Sequence, residues 1–422
     1  MSTRRLVLAL LPFAALAGCG EPIAPGPPEA LTELPRDLSA SEAQVIRGSN
    51  AFAFDFLRSL FERREGGNVF ASPLSASMAL GMTMNGADGE TWTQMREVLG
   101  FDGMTEPEIN EAYHDLIALL LALDPSVTFG LGNSIWADDS MVLLPDFVTR
   151  VQTWFDAEAR TIDFQAAGAK DIMNAWVSEV TQGRIDQLLA TIPPDVVMYL
   201  INAVYFRGDW RDRFDRGRTA SASFTTLDGD EVAVPMMAGE VGHRFFFGPD
   251  ATVLELPYGA DAFTAVAVLP PEGQPMAVFL DGLTPAVWQA WMDRLAGDAE
   301  ARAESGGDRE GILVRMPKLE LEWEAALNEP LVELGMTDAF DERLADFTRL
   351  TGEDGFFIEQ ALQKTFLKVD EEGTEAAAAT AVGMGVTSAP PSVRLDRPFV
   401  FAIRERLSGT ILFLGVIGDP SA

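Results

Sequence analysis

Apolar positions recur with helical spacing early in the chain. Their steps of four, three, four and four predict a helix with a wide buried face, and Ser41 with Gln44 has the spacing of a capping box at its start. The positions are Val45, Ser49, Phe52, Phe56 and Leu60. Ser72 followed by Pro73 predicts the start of a second, buried helix that continues to Met84.

The later part of the chain has the pattern of strands. Residues 196–206 contain Asn202 as their only strongly polar member, which predicts a central strand covered on both faces. Shorter β-rich runs lie at 263–269, 319–323, 400–403 and 411–417. Helices come first and strands later without βαβ alternation, so we predict one mixed α/β (α+β) domain. Residues 296–311 are acidic and small, and we expect a surface loop there.

Composition narrows the classes of partner. The 422 residues carry a formal net charge of −33, which makes nucleic acids and heparin-like polyanions poor partners because the surface field repels them. The acidity fits solubility or a saline habitat, and a dedicated basic partner is the alternative. We expect a monomer.

Few residues could support catalysis or bind a metal. Cys19 is the only cysteine, and His114 and His243 are the only histidines, so an intramolecular disulfide and most zinc sites and catalytic triads are excluded. The sequence contains no Gly-x-Ser-x-Gly elbow, Walker loop or His-Glu-x-x-His motif. We therefore predict that the chain is not an enzyme and needs no cofactor or metal.

The N-terminus has the pattern of an export signal. Arg4 and Arg5 precede an apolar run that is too short to span a bilayer, and the sequence Leu-Ala-Gly-Cys ending at Cys19 resembles a bacterial lipoprotein cleavage box. We predict a signal peptide at 1–18, a lipid anchor on Cys19 with a proline-rich tether over 19–40, and a folded domain over 41–422. An ordinary signal peptide with an incidental cysteine is the alternative. With the anchor, the protein would be a lipoprotein of the bacterial cell envelope, periplasmic or surface-exposed.

A run of small residues, EEGTEAAAAT, lies about fifty residues from the C-terminus. Alone, its alanines would fit a surface helix. Together with other segments in the same order, it resembles the hinge of the serpin family. The other segments with serpin-like sequence are 68–75, 85–91, 202–210, 334–340, 389–393, 396–404 and 409–415.

The resemblance covers residue 41 to the end and implies the serpin fold. That fold has three β-sheets, eight or nine helices and an exposed reactive-centre loop. A target protease cleaves the loop, which then enters the largest sheet as a new strand. The side chains of an inserted strand would alternate between the two faces of the sheet. The matching hinge residues are Glu371, Glu372, Gly373, Thr374, Glu375, Ala376, Ala377, Ala378, Ala379 and Thr380.

The hinge can be tested for its ability to insert. Counting from Thr374, the residues that would face inward carry neither charge nor proline, and the single charge, Glu375, would face outward. The inward residues are Thr374, Ala376, Ala378, Thr380, Val382 and Met384. Gly373 provides a pivot without a side chain. The family's spacing places the cleaved bond between Thr387 and Ser388, and a shift by one residue to Val386 remains open.

Two further groups follow from the resemblance. Ser72, Ser75, Asn202 and Gln363 match the shutter, a polar cluster beneath the strands that must part, although helix capping and core hydrogen bonding would also explain them. Many members have histidine where this chain has Gln363, and glutamine cannot titrate near neutral pH. Trp210 matches the breach, where insertion begins, and a plain core tryptophan is the alternative.

These features together predict an irreversible inhibitor of serine proteases, with cysteine proteases as a second class of target. The small, uncharged Thr387 indicates an elastase-like or subtilisin-like target rather than a trypsin-like one, whose acidic pocket prefers arginine or lysine. A non-inhibitory serpin acting as a binding or carrier protein is the alternative. It predicts bulky or charged inward hinge residues.

Overall fold

The computed structural model describes residues 28–194, 196–241, 244–304, 312–374 and 392–422. Cys19, Thr387, Ser388 and the hinge residues from Glu375 onward lie outside these ranges. Among the residues that are described, no helix is both long and apolar enough to cross a membrane.

Ten α-helices occur within the described ranges, more than the eight or nine expected. They are α1 (Ala40–Glu62), α2 (Pro73–Met84), α3 (Gly89–Val98), α4 (Glu106–Leu123), α5 (Pro145–Phe155), α6 (Ala169–Val180), α7 (Met276–Gly282), α8 (Pro285–Glu304), α9 (Asn328–Glu333) and α10 (Thr348–Thr351). The last two have six and four residues, and such short helices depend on tertiary packing rather than on a periodic sequence signal.

The described strands form three sheets, which confirms this part of the expected fold and its mixed α/β class. The strands are β1 (Asn68–Ala71), β2 (Val127–Asp138), β3 (Glu158–Ile162), β4 (Met198–Asp209), β5 (Ala220–Thr225), β6 (Glu231–Val241), β7 (Arg244–Phe247), β8 (Thr252–Pro257), β9 (Phe263–Leu269), β10 (Ile312–Pro317), β11 (Leu319–Ala326), β12 (Gln360–Val369), β13 (Gly373–Thr374), β14 (Ser392–Arg394), β15 (Phe399–Glu405) and β16 (Ile411–Ile417). The main sheet has the order β11-β12-β4-β2-β3, with β13 paired to β4. The other two have the orders β1-β16-β15-β9-β8-β7 and β14-β10-β6-β5.

Three local predictions need correction. Helix α1 is capped by Ser39 and Glu42, two residues before the predicted box, because their side chains and backbone N–H groups bond reciprocally. Residues 296–304 continue α8 instead of forming a loop, since alanine, glutamate and arginine favour a helix. The end of the predicted tether also has core contacts, because Leu31, Leu34 and Leu38 pack against the core.

The main sheet is covered on both faces, and its central strand β4 alternates between them. Met198, Leu200, Val204 and Phe206 belong to the large core that includes α1 and α2. Tyr199, Ile201 and Ala203 belong to a second cluster that α6 closes with Met173 and Val177. Even-numbered side chains of β4 therefore face the large core, and odd-numbered ones face α6.

A group of buried ion pairs stabilises the sheet with the order β1-β16-β15-β9-β8-β7. Glu255 on β8 is 0% exposed and accepts hydrogen bonds from Arg404 Nη2 at 2.7 Å and Thr264 Oγ1 at 2.8 Å, with Arg244 as a second ionic partner. Burial alone would raise the pKa of Glu255, but the two arginines outweigh it and lower that pKa from 4.5 to about 2.

We predict that Glu255→Gln lowers the free energy of unfolding of the native form by about 3–5 kcal/mol at neutral pH, because it removes the counter-charge of the buried Arg404, while Arg244 keeps Asp261. A lowered pKa contributes stability that is complete above the ordinary value of 4.5 and is lost as pH falls toward about 2. Urea midpoints of wild type and variant should therefore converge over that pH range.

The matched control for this prediction is Asp298→Asn, which breaks the exposed pair with Arg294 on α8. Its free energy of unfolding should stay within about 0.5 kcal/mol of the wild-type value. If the difference in urea midpoint between Glu255→Gln and wild type stays constant down to pH 2, the low pKa given to Glu255 is contradicted.

Candidate functional site: a seam in the main sheet

Strands β4 and β12 are parallel neighbours at the centre of the main sheet. Their register runs from Gln360 opposite Tyr199 to Thr365 opposite Val204. Beyond Val204, β4 continues to Asp209 and there pairs with β13 instead. The two strands therefore pair directly with each other over six residue pairs, and this junction is called the seam below. At one end of the seam, β13 takes the place of β12 as the partner of β4.

The hinge already occupies that end of the seam. After β12 the chain turns at 370–372 and comes back antiparallel to β4, with Gly373 opposite Asp209 and Thr374 opposite Gly208. Thr374 is 1% exposed. Gly373 has φ +154°, and a Cβ there would lie 2.2 Å from the carbonyl oxygen of Gly208, so only glycine fits this approach of the two backbones.

Two carboxylates fix the turn at the start of the hinge. Glu371 accepts hydrogen bonds from Lys318 Nζ at 2.7 Å and Thr219 Oγ1 at 2.6 Å. Burial would raise the pKa of Glu371, but these two donors outweigh it and hold its pKa below the usual range. Glu372 is paired with Arg216. Both carboxylates are buried, so the turn is anchored by charged groups that cannot leave without losing their partners.

Trp210 clamps the same turn through its ring and its backbone. Its Nε1 donates to the carbonyl of Asp370 at 2.9 Å, and its backbone N–H donates to the carbonyl of Glu372 at 2.8 Å. The indole stacks on Tyr258 with a centroid distance of 4.3 Å and an interplanar angle of 11°. The structure thus places the predicted breach residue in direct contact with the hinge turn, beyond the role of core filler.

Tyr258 contacts the hinge, which the sequence did not reveal. Its hydroxyl lies 2.8 Å from Thr374 Oγ1, and burial raises its pKa, so the phenol stays neutral. The tyrosine follows β8, in a part of the chain remote from the hinge. Only the pairing of the sheets brings it to the seam.

The four predicted shutter residues come together under the closed part of the seam. Gln363 Oε1 accepts from Ser72 N at 2.9 Å, and Gln363 Nε2 donates to Ser72 O at 2.9 Å and to Asn202 Oδ1 at 2.7 Å. Asn202 Nδ2 donates in turn to Ser75 Oγ. Ser72 Oγ also caps α2, accepting from Ser75 N at 3.4 Å, so the capping role and the cluster coexist.

Asn133 extends this cluster and was missed by sequence reasoning. It lies opposite Asn202 on β2, and its Oδ1 accepts from Asn202 Nδ2 at 2.7 Å. Gln363, Asn202 and Asn133 therefore form a polar row across three adjacent strands. A buried polar row of this kind holds strands in register, and its members lose partners when the strands separate.

Comparison with known proteins identifies the architecture. The chain matches the family model "Serpin (serine protease inhibitor)" over residues 47–420. It is 34% identical to the leukocyte elastase inhibitor of Bos taurus over 385 residues, which are 89% of this chain and 100% of that protein. The human leukocyte elastase inhibitor is 32% identical over the same shares of the two chains.

Solved structures agree with this result. Human kallistatin superposes with a TM-score of 0.81 at 26% identity, covering 90% of this chain and 99% of that one. The native thermophilic serpin tengpin gives 0.77 at 29% identity, covering 93% and 97%. Human thyroxine-binding globulin with its ligand gives 0.79 at 28% identity, covering 91% and 100%.

The comparisons correct the expectation drawn from missing motifs, that the chain is not an enzyme, by replacing it with a positive assignment. The matching family model and the relatives are named as protease inhibitors. A seam with a hinge at one end, a polar row beneath it and the sequence match over residues 47–420 have one common explanation. The chain belongs to the serpin family of serine protease inhibitors.

Proposed function

We propose that this chain is an irreversible, suicide-substrate inhibitor of serine endopeptidases with elastase-like or subtilisin-like specificity. Cysteine proteases that accept the same loop are a possible second class of target. The observation that carries the proposal is the position of Thr374, which is buried between β4 and the end of β12 with a paired backbone. A strand that continues from it would enter the seam.

The register of β13 predicts where each inserted residue would pair. Because Thr374 lies opposite Gly208, continued antiparallel pairing would set Ala376 opposite Phe206 and Thr380 opposite Asn202. Thr380 would then lie in the polar row between Asn202 and Gln363. Its hydroxyl can donate and accept, so it can replace the hydrogen bond that these two side chains lose when β4 and β12 separate.

The chemistry belongs to the target protease. Its serine oxygen forms an ester with the carbonyl carbon of Thr387 while the amide bond to Ser388 breaks, and the serine proton passes to the leaving amine of Ser388. Cleavage at Val386–Thr387 would proceed in the same way. Insertion of the cut loop would then draw the attached protease along, and distortion of its active site would prevent water from releasing the ester.

The specificity rests on the residue before the cleaved bond. Thr387 is small and uncharged, and two relatives carry the name leukocyte elastase inhibitor. Trypsin-like enzymes, whose pocket binds arginine or lysine, are expected to be poor targets.

The proposal is tested with a panel of elastase-like, subtilisin-like, trypsin-like and cysteine proteases. We expect SDS-stable covalent complexes with the first two classes, and mass spectrometry should show release of a C-terminal peptide that starts at Ser388. Clean cleavage without complex across the whole panel would reject inhibition.

A carrier function is the second candidate. The similarity to thyroxine-binding globulin in complex with thyroxine favours it, whereas the unobstructed inward face of the hinge opposes it. A carrier would be cleaved by the panel without forming complexes, and the cleaved chain would gain no thermal stability.

We also propose that Cys19 is lipidated and anchors a signal-processed chain to the bacterial cell envelope. The position of the only cysteine at the end of the Leu-Ala-Gly-Cys box supports this. Metabolic labelling with palmitate should mark the wild type and fail to mark Cys19→Ser. Equal labelling of both would refute the anchor.

A further inference from the structure

The hairpin at 258–261, between β8 and β9, holds a strained backbone beside the hinge. Gly259 has φ +40°, and Asp261 has φ +65°, which is unusual for a residue other than glycine. Such a conformation persists only where the surroundings impose it, and it occurs at functional positions. This segment, called the breach hairpin below, carries Tyr258, whose hydroxyl contacts Thr374.

One side of the breach hairpin rests on the body of the protein. The buried carboxylate of Asp124 accepts from Ala260 N at 2.8 Å, and Gly259 N donates to the carbonyl of Asp209 at 2.9 Å. A Cβ at Gly259 would lie 1.9 Å from Ser126 Oγ. These contacts bind two N–H groups of the hairpin, those of Gly259 and Ala260. The carbonyl groups of residues 259–261 have other partners.

The other side is covered by the N-terminal strap, residues 28–38. Leu31 N donates to the carbonyl of Ala260 at 2.7 Å. Arg211 Nη1 donates both to the carbonyl of Gly259 at 2.9 Å and to the carbonyl of Pro28 at 2.7 Å.

Arg406 makes an equivalent bridge at the end of the hairpin. Its Nε donates to the carbonyl of Asp261 at 2.9 Å, and its Nη2 donates to the carbonyl of Leu31 at 2.7 Å. Three consecutive hairpin carbonyls are thus bonded by the strap or by an arginine that also binds the strap. Backbone groups bonded on both sides have little freedom to relax.

The strap is ordered by contacts along its length. Leu31, Leu34 and Leu38 pack against the core. Near the other end, Arg36 Nη1 donates to Glu42 Oε2 at 2.8 Å and Arg36 Nη2 donates to the carbonyl of Asp115 at 3.2 Å. The strap is therefore tied to α1 and α4 at one end and to the breach hairpin at the other.

We propose that the N-terminal strap is a positioning element for loop insertion: it holds the breach hairpin so that Tyr258 keeps Thr374 at the entrance of the seam. This inference rests on the proposed inhibitory function. In a cut loop, insertion competes with hydrolysis of the ester. A hinge that is already placed and paired starts insertion without first being ordered, so loss of the strap slows insertion and increases turnover of the inhibitor as a substrate.

The test uses three variants of the full-length chain. Leu31→Pro removes the N–H that donates to Ala260, and Arg211→Met removes the bridge between Pro28 and Gly259. Arg63→Met is the control, because it removes an arginine outside the strap whose carboxylate partners, Glu329 and Glu333, belong to α9. Since Arg211→Met leaves the strap backbone unchanged, it keeps the test valid if Leu31→Pro folds poorly.

Two readouts separate positioning from stability. Hydrogen exchange at the Trp210 and Phe214 amides, which donate to the carbonyls of Glu372 and Glu371, should become about tenfold faster in the two strap variants and stay unchanged in the control. The number of inhibitor molecules consumed per trapped protease should rise severalfold in the strap variants alone. An unchanged number in both strap variants, or an equal rise in Arg63→Met, would overturn the proposal.

The experiment distinguishes this inference from the proposed function. If wild type forms no covalent complex with any protease, inhibition fails, while hydrogen exchange still reports whether the strap holds the hinge. If wild type inhibits and the strap variants exchange and inhibit as wild type does, only the positioning role is refuted.

Discussion

Replacing Thr374 with arginine is expected to turn the inhibitor into a substrate. Thr374 is 1% exposed, and its Oγ1 lies 2.8 Å from the buried hydroxyl of Tyr258. A guanidinium would have to be buried there without a carboxylate partner at the first inserted position, which costs several kcal/mol. Since 1.4 kcal/mol is a factor of ten, the rate of insertion should fall by about a hundredfold or more. The yield of covalent complex measures it.

Two conservative changes at the same position serve as controls. Thr374→Ser keeps the hydroxyl and should inhibit as wild type does. Thr374→Val keeps the shape but loses the hydrogen bond to Tyr258, which contributes about 1 kcal/mol, so a modest loss is expected. The cleavage rate should be the same in all variants because the cut bond is unchanged. Full complex yield from Thr374→Arg would exclude insertion that starts at this residue.

Replacing Gln363 with leucine is expected to loosen the closed part of the seam. Gln363 is 0% exposed, and its loss leaves the N–H of Ser72 and the Oδ1 of Asn202 without their partners, while the Ser72 carbonyl keeps its bond from Ala76 N at 3.0 Å. Each buried polar group left unpaired costs about 1–3 kcal/mol. With two such groups, the free energy of unfolding of the native form should fall by about 2–6 kcal/mol in urea, and the protein should lose inhibitory activity much faster on storage at 37 °C.

The matched variant Gln363→His tests why glutamine occupies this position. Glutamine cannot titrate, so the rate of this spontaneous inactivation in wild type should show no step from the shutter between about pH 5.5 and 8. Histidine should introduce one, with faster opening at low pH, because a charged imidazole is disfavoured in a buried site. Identical pH profiles of wild type and Gln363→His, or a Gln363→Leu variant as stable as wild type, would contradict the role given to the polar row.

Sequence patterns predicted the parts of this fold that are encoded locally. The buried helix after Ser72 and the apolar strand around Asn202 have strong periodic or continuous signals, and both form as predicted, with the strand displaced by two to three residues. The short helices α9 and α10 carry too few residues for such a signal. The end of α8 was misread because its small, charged residues suit both a loop and a helix.

The candidate site was harder to predict than these elements, because its residues meet only through pairing between distant parts of the chain. The family resemblance indicated Ser72, Asn202 and Gln363. The parallel register of β4 and β12 brings Asn202 and Gln363 together, and Ser72 joins them from the start of α2. Asn133 and Tyr258 carry no local signal, because their roles arise only when β2 pairs with β4 and the breach hairpin folds against the hinge. The contacts of the strap were hidden for the same reason, since a proline-rich segment reads as a spacer.

The most direct test of the account is thermal unfolding of the intact chain and of the chain cut near residue 387. A hinge that continues into the seam adds a central strand to the main sheet, so the cut form should melt higher by roughly 20 °C or more, which corresponds to on the order of 10–20 kcal/mol for a domain of this size. Hydrogen exchange should at the same time show new protection of residues 375–384. Equal melting temperatures for the intact and cut chains, without that protection, would contradict the insertion mechanism.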